Sequence, residues 1–185
     1  AQVNPCRATA EQVLASLRAQ GVEAGAHPWL PGCLELRQSG DLERLEAFEK
    51  GWIYIQDPAA RLAVLAADPR PGMRVLDGCA APGGKSFAAA AAMGDRGEIL
   101  SCDIHPHKQR LSDAGARRLG FSCIRTRVAD ARVCSPEAIG RFDLVIADVP
   151  CSGLGIIRKK PDIRYKAPAP LAGLPRVQGE ILERL

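Results

Sequence analysis

An α/β fold, with a parallel sheet behind a small α+β unit, is what this sequence predicts, and three observations predict it. From Gly51 onward short β-type runs alternate with helical stretches, the pattern of strands joined by crossover helices. Residues 77–86 read Asp-Gly-Cys-Ala-Ala-Pro-Gly-Gly-Lys-Ser and follow the short run Met73-Arg74-Val75-Leu76. A strand ending in an acid, then a turn of small residues, then a helix is the form of a nucleotide-cofactor loop. Finally, Asp77, Asp103, Asp130 and Asp148 sit at or just beyond successive strand ends. In a doubly wound sheet they would line the carboxyl edge, where ligands bind.

Taken in order, the first fifty residues form the small unit. Thr9-Ala10-Glu11-Gln12 fits a capping box. Val13, Leu14 and Leu17 then make one apolar face, and Gly21 stops the helix. Strand-like pieces flank it around Val3 and Leu34–Leu36. Trp52–Ile55 reads as a strand and Pro58–Ala67 as a helix, which Pro69, Pro71 and Gly72 end. Strand 73–77 leads into the loop and an alanine-rich helix, Lys85–Met93, closed by Gly94. Glu98–Cys102 is the next strand, ending in Asp103. Pro106 and Gly120 bracket a helix on which Leu111, Ala114, Gly115 and Leu119 are expected to share the buried face. Strands follow at Ser122–Val128 and Asp143–Asp148, and residues 176–185 open a further helix.

Composition narrows the class. With 185 residues, 46% hydrophobic and 25% charged, the chain can bury a sizeable core. No run approaches the ~18 apolar residues of a membrane span, and the start lacks the character of a secretory signal. A cytoplasmic location is expected. Seven cysteines without a C-x-x-C pair argue against a zinc site and against a disulfide framework, so no metal is expected. The net charge of +4 says little by itself, but its distribution says more. Arg158, Lys159, Lys160, Arg164 and Lys166 face the single acid Asp162 within 156–166. Such a run is either a solvated loop or a phosphate-binding surface.

The loop itself discriminates among cofactors. Gly83 and Gly84 let the backbone pass close to a ligand, and the helix opening at Lys85 aims free N–H groups outward. A phosphate loop needs glycine five places before Gly84, where Cys79 stands, and the dinucleotide pattern G-x-G-x-x-G is absent. A cofactor without phosphate, such as S-adenosylmethionine, suits the loop better. Asp103 could accept hydrogen bonds from both ribose hydroxyls, or else cap the helix at Pro106. Asp130 could face an adenine amino group, or else shape the turn Ala129-Asp130-Ala131. Asp77 reads as structural, fixing the loop. Lys85, a cation at a helix N-terminus, is mildly misplaced unless it meets a ligand or is solvated. Cys79 reads as a packing residue.

The strand Asp143–Asp148 runs straight into Val149-Pro150-Cys151-Ser152-Gly153-Leu154-Gly155. Together with the 77–86 loop, this stretch closely resembles the RNA cytosine-5 methyltransferases of the Sun/Fmu (RsmB-like) family. The phrases at 51–57 and 157–163 are similar to that family as well. The resemblance implies a Rossmann-like class I methyltransferase sheet, incomplete at its C-terminal half, over 51–185. It also implies a small RNA-side module over 1–50, S-adenosyl-L-methionine as cofactor, and ribosomal RNA as partner. The product would be 5-methylcytosine in small-subunit (16S) RNA. Carried over by motif, the cofactor residues are Cys79, Ala80, Ala81, Pro82, Gly83, Gly84, Lys85, Asp103, Asp130 and Asp148. Arg158, Lys159, Lys160 and Arg164 would hold RNA.

Cys151 stands apart because a tight turn places it at the ligand edge. Methylating carbon 5 of cytosine needs a thiolate to add to carbon 6. In DNA cytosine methyltransferases the Pro-Cys cysteine does this. In the family resembled here, a cysteine of a later Thr-Cys segment does so, and the Pro-Cys cysteine assists product release. No Thr-Cys occurs in these 185 residues. The sequence therefore reads as a fragment that binds without catalysing, with Asp143–Asp148 an open sheet edge prone to dimerise. A DNA-type enzyme using Cys151 and a non-catalytic RNA-binding module remain as alternatives.

Overall fold

The computed structural model describes residues 1–133, 141–157, 160–167 and 171–185. Arg158, Lys159 and Cys134 lie outside them. Four parallel strands form the central sheet: β5 (Arg74–Asp77), β6 (Glu98–Asp103), β7 (Ile124–Val128) and β8 (Leu144–Ile146), in the order β7-β6-β5-β8. Helix α4 (Gly84–Ala92) joins β5 to β6, and α5 (Pro106–Leu119) joins β6 to β7. Both crossovers step in one direction, so right-handed connections place both helices on one face. The step to β8 reverses direction beside β5, creating the switch point where such sheets bind ligands. Phe87 of α4 is the centre of the core on that face. Its ring stacks on Phe121 at 6.5 Å and meets Tyr54 edge-on at 6.0 Å. Burying a ring of this size contributes roughly 1.5–3 kcal/mol.

The buried face of α5 differs from the one its aliphatic residues predict. Gln109, Ser112, Ala116 and Leu119 are buried, whereas Leu111 is 59% exposed. The cause is close packing against the sheet. Gln109 donates to the Ser101 carbonyl at 2.6 Å, and a Cβ on Gly115 would come within 2.6 Å of the Phe87 ring. Small and hydrogen-bonded residues fill that interface together with Leu119, and Leu111 is left outside it.

Ahead of the sheet stands the small unit, with β1 (Gln2–Val3), α1 (Ala10–Ala19), β2 (Glu23–Ala26), β3 (Leu34–Arg37) and the single turn α2 (Glu46–Glu49). The capping box of α1 is present, with Thr9 and Gln12 bonded reciprocally. β2 and β3 pair as an antiparallel hairpin. The strand expected at Trp52–Ile55 is real but short, β4 (Ile53–Tyr54), and it does not join the parallel sheet. It pairs antiparallel with β1, Val3 opposite Ile53. Period-2 alternation explains its position: Ile53 enters the core of the small unit and Tyr54 the core of the sheet. Helix α3 (Pro58–Ala66), capped by Asp57, then leads back to β5.

The two parts are bonded where α5 ends. The Leu119 carbonyl accepts from Asn4 Nδ2 at 2.9 Å and from Arg7 Nε at 3.2 Å, which supplies donors and positive charge to a helix C-terminus. Asn4, fully buried, also donates to the Gly51 carbonyl at 3.0 Å. At Gly51 φ is +68°, and a Cβ would lie 2.1 Å from the Arg118 carbonyl oxygen, so only glycine fits. Among the described residues, β8 is an edge of the sheet, no helix is long and apolar enough to cross a membrane, and no cluster of His, Cys, Asp and Glu could hold a metal ion.

Candidate cofactor site

A cavity of about 440 Å³ opens at the carboxyl edge of the sheet, within the roughly 300–1,000 Å³ of small-molecule sites. Cys79 and Ala81 from the loop, Asp103 from the end of β6, Asp130 after β7 and Asp148 after β8 all line it. Residues far apart in the chain meet here because every parallel strand ends on the same side. Ala80, Pro82, Gly83, Gly84 and Lys85 lie in or beside the loop without lining the cavity. The glycines serve the turn. Gly83 precedes α4 with φ at +104°, where a Cβ would come within 2.5 Å of the Phe87 ring, and a Cβ on Gly84 would meet Gln56 at 3.3 Å.

Each acid has its own surroundings. Asp103 is 8% exposed; one oxygen accepts from the His105 amide at 2.9 Å and the other from the Ala81 amide at 3.3 Å. It therefore ties the end of β6 to the loop, while the N-cap of α5 is His105. Asp130 accepts from both the backbone and the guanidinium of Arg132, which hold its carboxyl below the usual carboxylate range. That is a turn role, with the carboxylate still at the cavity wall. Asp148 pairs with Lys85 Nζ at 2.5 Å, so the loop lysine bridges α4 to the end of β8. Asp77 is fully buried and accepts from Ser86 Oγ at 2.8 Å, while its Oδ1 has no partner. Burial pushes its pKa up to about 6, against the Ser86 hydrogen bond. The half-buried Cys79 thiol is pushed up to about 11 by burial and then by the negative field of Asp103, which leaves it protonated and inert at neutral pH.

The cavity also has walls that the strand-end rule does not reveal. Ile104 and Lys108 flank Asp103, and Val177 and Ile181 of α6 (Leu174–Leu182) close the site from the far side. Helix α6 is held there by Gln178, which donates to the Pro150 carbonyl at 2.8 Å, and by Glu180, 3.9 Å from Arg132. The apolar i,i+4 pair Val177/Ile181 is visible in the sequence, but nothing in it says which surface the pair covers. Cys151 is exposed. Its turn is fixed by the Leu154 amide donating to Ser152 Oγ at 3.3 Å, and by Lys166 Nζ donating to the Ser152 carbonyl at 3.2 Å. Lys160, Arg164 and Lys166 are exposed on the segment that follows, with the Arg164 guanidinium 4.8 Å from the centre of the Tyr165 ring.

Asp103, Asp130 and Asp148 present carboxylate acceptors at one cavity, although Arg132 and Lys85 pair with two of them and Lys108 also lines it, so the wall suits a ligand rich in hydroxyl and amine donors. S-adenosylmethionine, with a sulfonium, an ammonium, a ribose diol and no phosphate, fits that donor set. A larger hollow of about 780 Å³ lies between the β2–β3 hairpin and residues 155–156. It contains no strand-end acid and no loop amide, so the cofactor reading belongs to the smaller cavity.

Similarity to known proteins agrees with this geometry. The probable ribosomal RNA small subunit methyltransferase B of Bacillus subtilis is 36% identical over 186 residues, covering all of this chain and 41% of that protein. The crystal structure of PH0851 is 32% identical with a TM-score of 0.93, covering all of this chain and 43% of that one. A methyltransferase homolog protein from Pyrococcus horikoshii is 27% identical with a TM-score of 0.75, over 99% of this chain and 58% of that one. The chain thus spans less than half the length of the curated relatives it matches. Residues 64–185 match the family described as 16S rRNA methyltransferase RsmB/F, and this chain belongs to that family.

Proposed function

We propose that this chain is the cofactor-binding part of an S-adenosylmethionine-dependent methyltransferase that makes 5-methylcytosine in small-subunit ribosomal RNA, a reaction of the cytoplasm. The family takes S-adenosylmethionine, which supplies an electrophilic methyl group when bound. The observation that carries the reading is the meeting of Asp103, Asp130 and Asp148 around one cavity that Pro150, the residue before Cys151, also lines. Asp103 would accept from the ribose hydroxyls, and Ile104 would give an adenine ring an apolar face. Asp130 would accept from the adenine amine, and the Lys85–Asp148 pair would set the position of the amino-acid end. Cys151 would stand on the RNA side of the methyl group and assist product release.

The domain reading accompanies it: residues 1–50 as an RNA-side module and 51–185 as the cofactor-binding unit. With no Thr-Cys among its 185 residues, this chain by itself should bind the cofactor and leave cytosine unmethylated. Incubation with labelled S-adenosylmethionine and unmodified small-subunit RNA is expected to give no 5-methylcytosine. A signal that vanishes in Cys151→Ser would replace this reading with the DNA-type mechanism, in which the Pro-Cys cysteine is the nucleophile.

RNA would be held by Arg158, Lys159, Lys160 and Arg164, which follow Cys151 in the sequence. Affinity for a ribosomal hairpin loop should then fall with salt at a log–log slope of about −0.7 per phosphate contact for single strands. Changing Lys160 and Arg164 together to alanine is expected to flatten that slope by about 1.4. An unchanged slope would return this stretch to a solvated loop.

A further inference from the structure

We propose that Trp29, in the β2–β3 connection, is a stacking platform for an unpaired base of the RNA, and that the 780 Å³ hollow lined by its ring neighbour His27 receives that nucleotide. The inference rests on the RNA reading above and adds to it a contact about 130 residues distant in sequence from the basic stretch.

Trp29 is 60% exposed, an unusual state for the largest apolar side chain. It is nevertheless held in place. The loop is closed by the His27 amide donating to the Cys33 carbonyl at 2.9 Å and the Cys33 amide to the Leu30 carbonyl at 3.1 Å. The His27 ring meets the indole at 4.6 Å and 84°, an edge contact that occupies at most one indole face. His27 also lines the hollow, and its Nδ1 is buried without a hydrogen-bond partner among the described residues. A buried polar atom left unpaired costs free energy, and a ligand hydroxyl or amine in the hollow would satisfy it.

The opposite wall is Gly155 and Ile156, a few residues beyond Cys151, and the chain continues from there into Lys160, Arg164 and Lys166. The charged lining of the hollow is mixed: Glu35, whose side chain has no partner among the described residues, stands there with Asp57 and with Arg37, which pairs with Glu23, while Lys160, Arg164 and Lys166 lie outside it. A carboxylate repels phosphate and accepts from the exocyclic amine of a base. The arrangement matches a nucleotide with its base inward and its phosphates on the basic segment. Aromatic side chains bind single-stranded RNA in this way, by stacking with little demand on sequence.

Tryptophan emission tests it directly, because the chain has only two tryptophans. Titrating the chain with single-stranded oligocytidine is expected to give a saturable quench that is absent in Trp29→Leu. Trp29→Leu should bind about tenfold more weakly, in line with the worth of one stacked base, with an unchanged salt slope. Trp29→Tyr should bind within about threefold of the parent, since a stacking face is restored. Oligouridine, lacking the exocyclic amine, should quench less. Equal affinities for parent and Trp29→Leu would overturn the platform while leaving the basic segment as an RNA site. No binding of RNA by the parent chain would instead overturn the RNA reading itself. Emission that responds to an RNA-free ribosomal-protein fraction and not to RNA would make Trp29 a protein contact and overturn the proposal.

Discussion

Replacing Asp103 with alanine is expected to lower affinity for S-adenosylmethionine by about tenfold to a hundredfold. A hydrogen bond to a charged group is worth roughly 1.5–3 kcal/mol, and each 1.4 kcal/mol is tenfold in affinity. Asp103 has a second task, because its carboxylate also holds the Ala81 and His105 amides. Its removal therefore loosens the loop as well as deleting a ligand contact, which puts the expected loss toward the upper figure. Asp103→Asn, which keeps an acceptor for one of those amides, should fall between parent and alanine. Calorimetry with S-adenosylmethionine and with ATP is the decisive comparison. Tighter binding of ATP than of S-adenosylmethionine, or an Asp103→Ala protein with unchanged affinity, would remove the cofactor assignment.

The stability of the parent chain relative to Asp77→Asn is expected to decline as pH rises from about 4 to about 6. Asp77 ionises near 3.8 in the unfolded chain and near 6 when folded. Between those values the folded state binds more protons than the unfolded one, so the unfolding free energy falls with increasing pH. The favourable contribution is complete below the unfolded value and lost once pH exceeds the folded one. A shift of this size corresponds to about 3 kcal/mol at neutral pH, a large share of the ~5–15 kcal/mol by which domains are stable. Burial is the cause, and the Ser86 hydroxyl offsets only part of it. Asparagine keeps an acceptor for Ser86 and carries no charge to desolvate. Urea unfolding at pH 4 and pH 7 measures the difference, and parallel curves for parent and variant would show that Asp77 carries no such burden. A destabilising acid directly under the cofactor loop is the kind of strain that functional sites retain.

Much of this protein is legible along the chain. Alternating strands and helices, the capping box at Thr9, the bracketing of α5 by Pro106 and Gly120, and the four strand-end acids all follow from local rules with short reach. Parallel strands end on one side by necessity, so strand order along the chain is enough to group the acids at one edge. Tertiary packing decided the rest. β4 is strand-like by its residues, yet its partner is β1 because Ile53 and Tyr54 must enter different cores. Leu111 is apolar at helical spacing, but the face that α5 buries is Gln109, Ser112, Ala116 and Leu119, with Gly115 against Phe87. Gly83 and Gly84 carry the signature of a ligand loop, and their freedom is used to admit Phe87 and Gln56. The carboxylates of Asp130 and Asp148 are taken up by Arg132 and Lys85, partners that residue type alone could not assign. Local preferences act within a few residues and are written in order along the chain; packing partners and the closure of the cavity by α6 depend on which surfaces meet once the whole chain has collapsed.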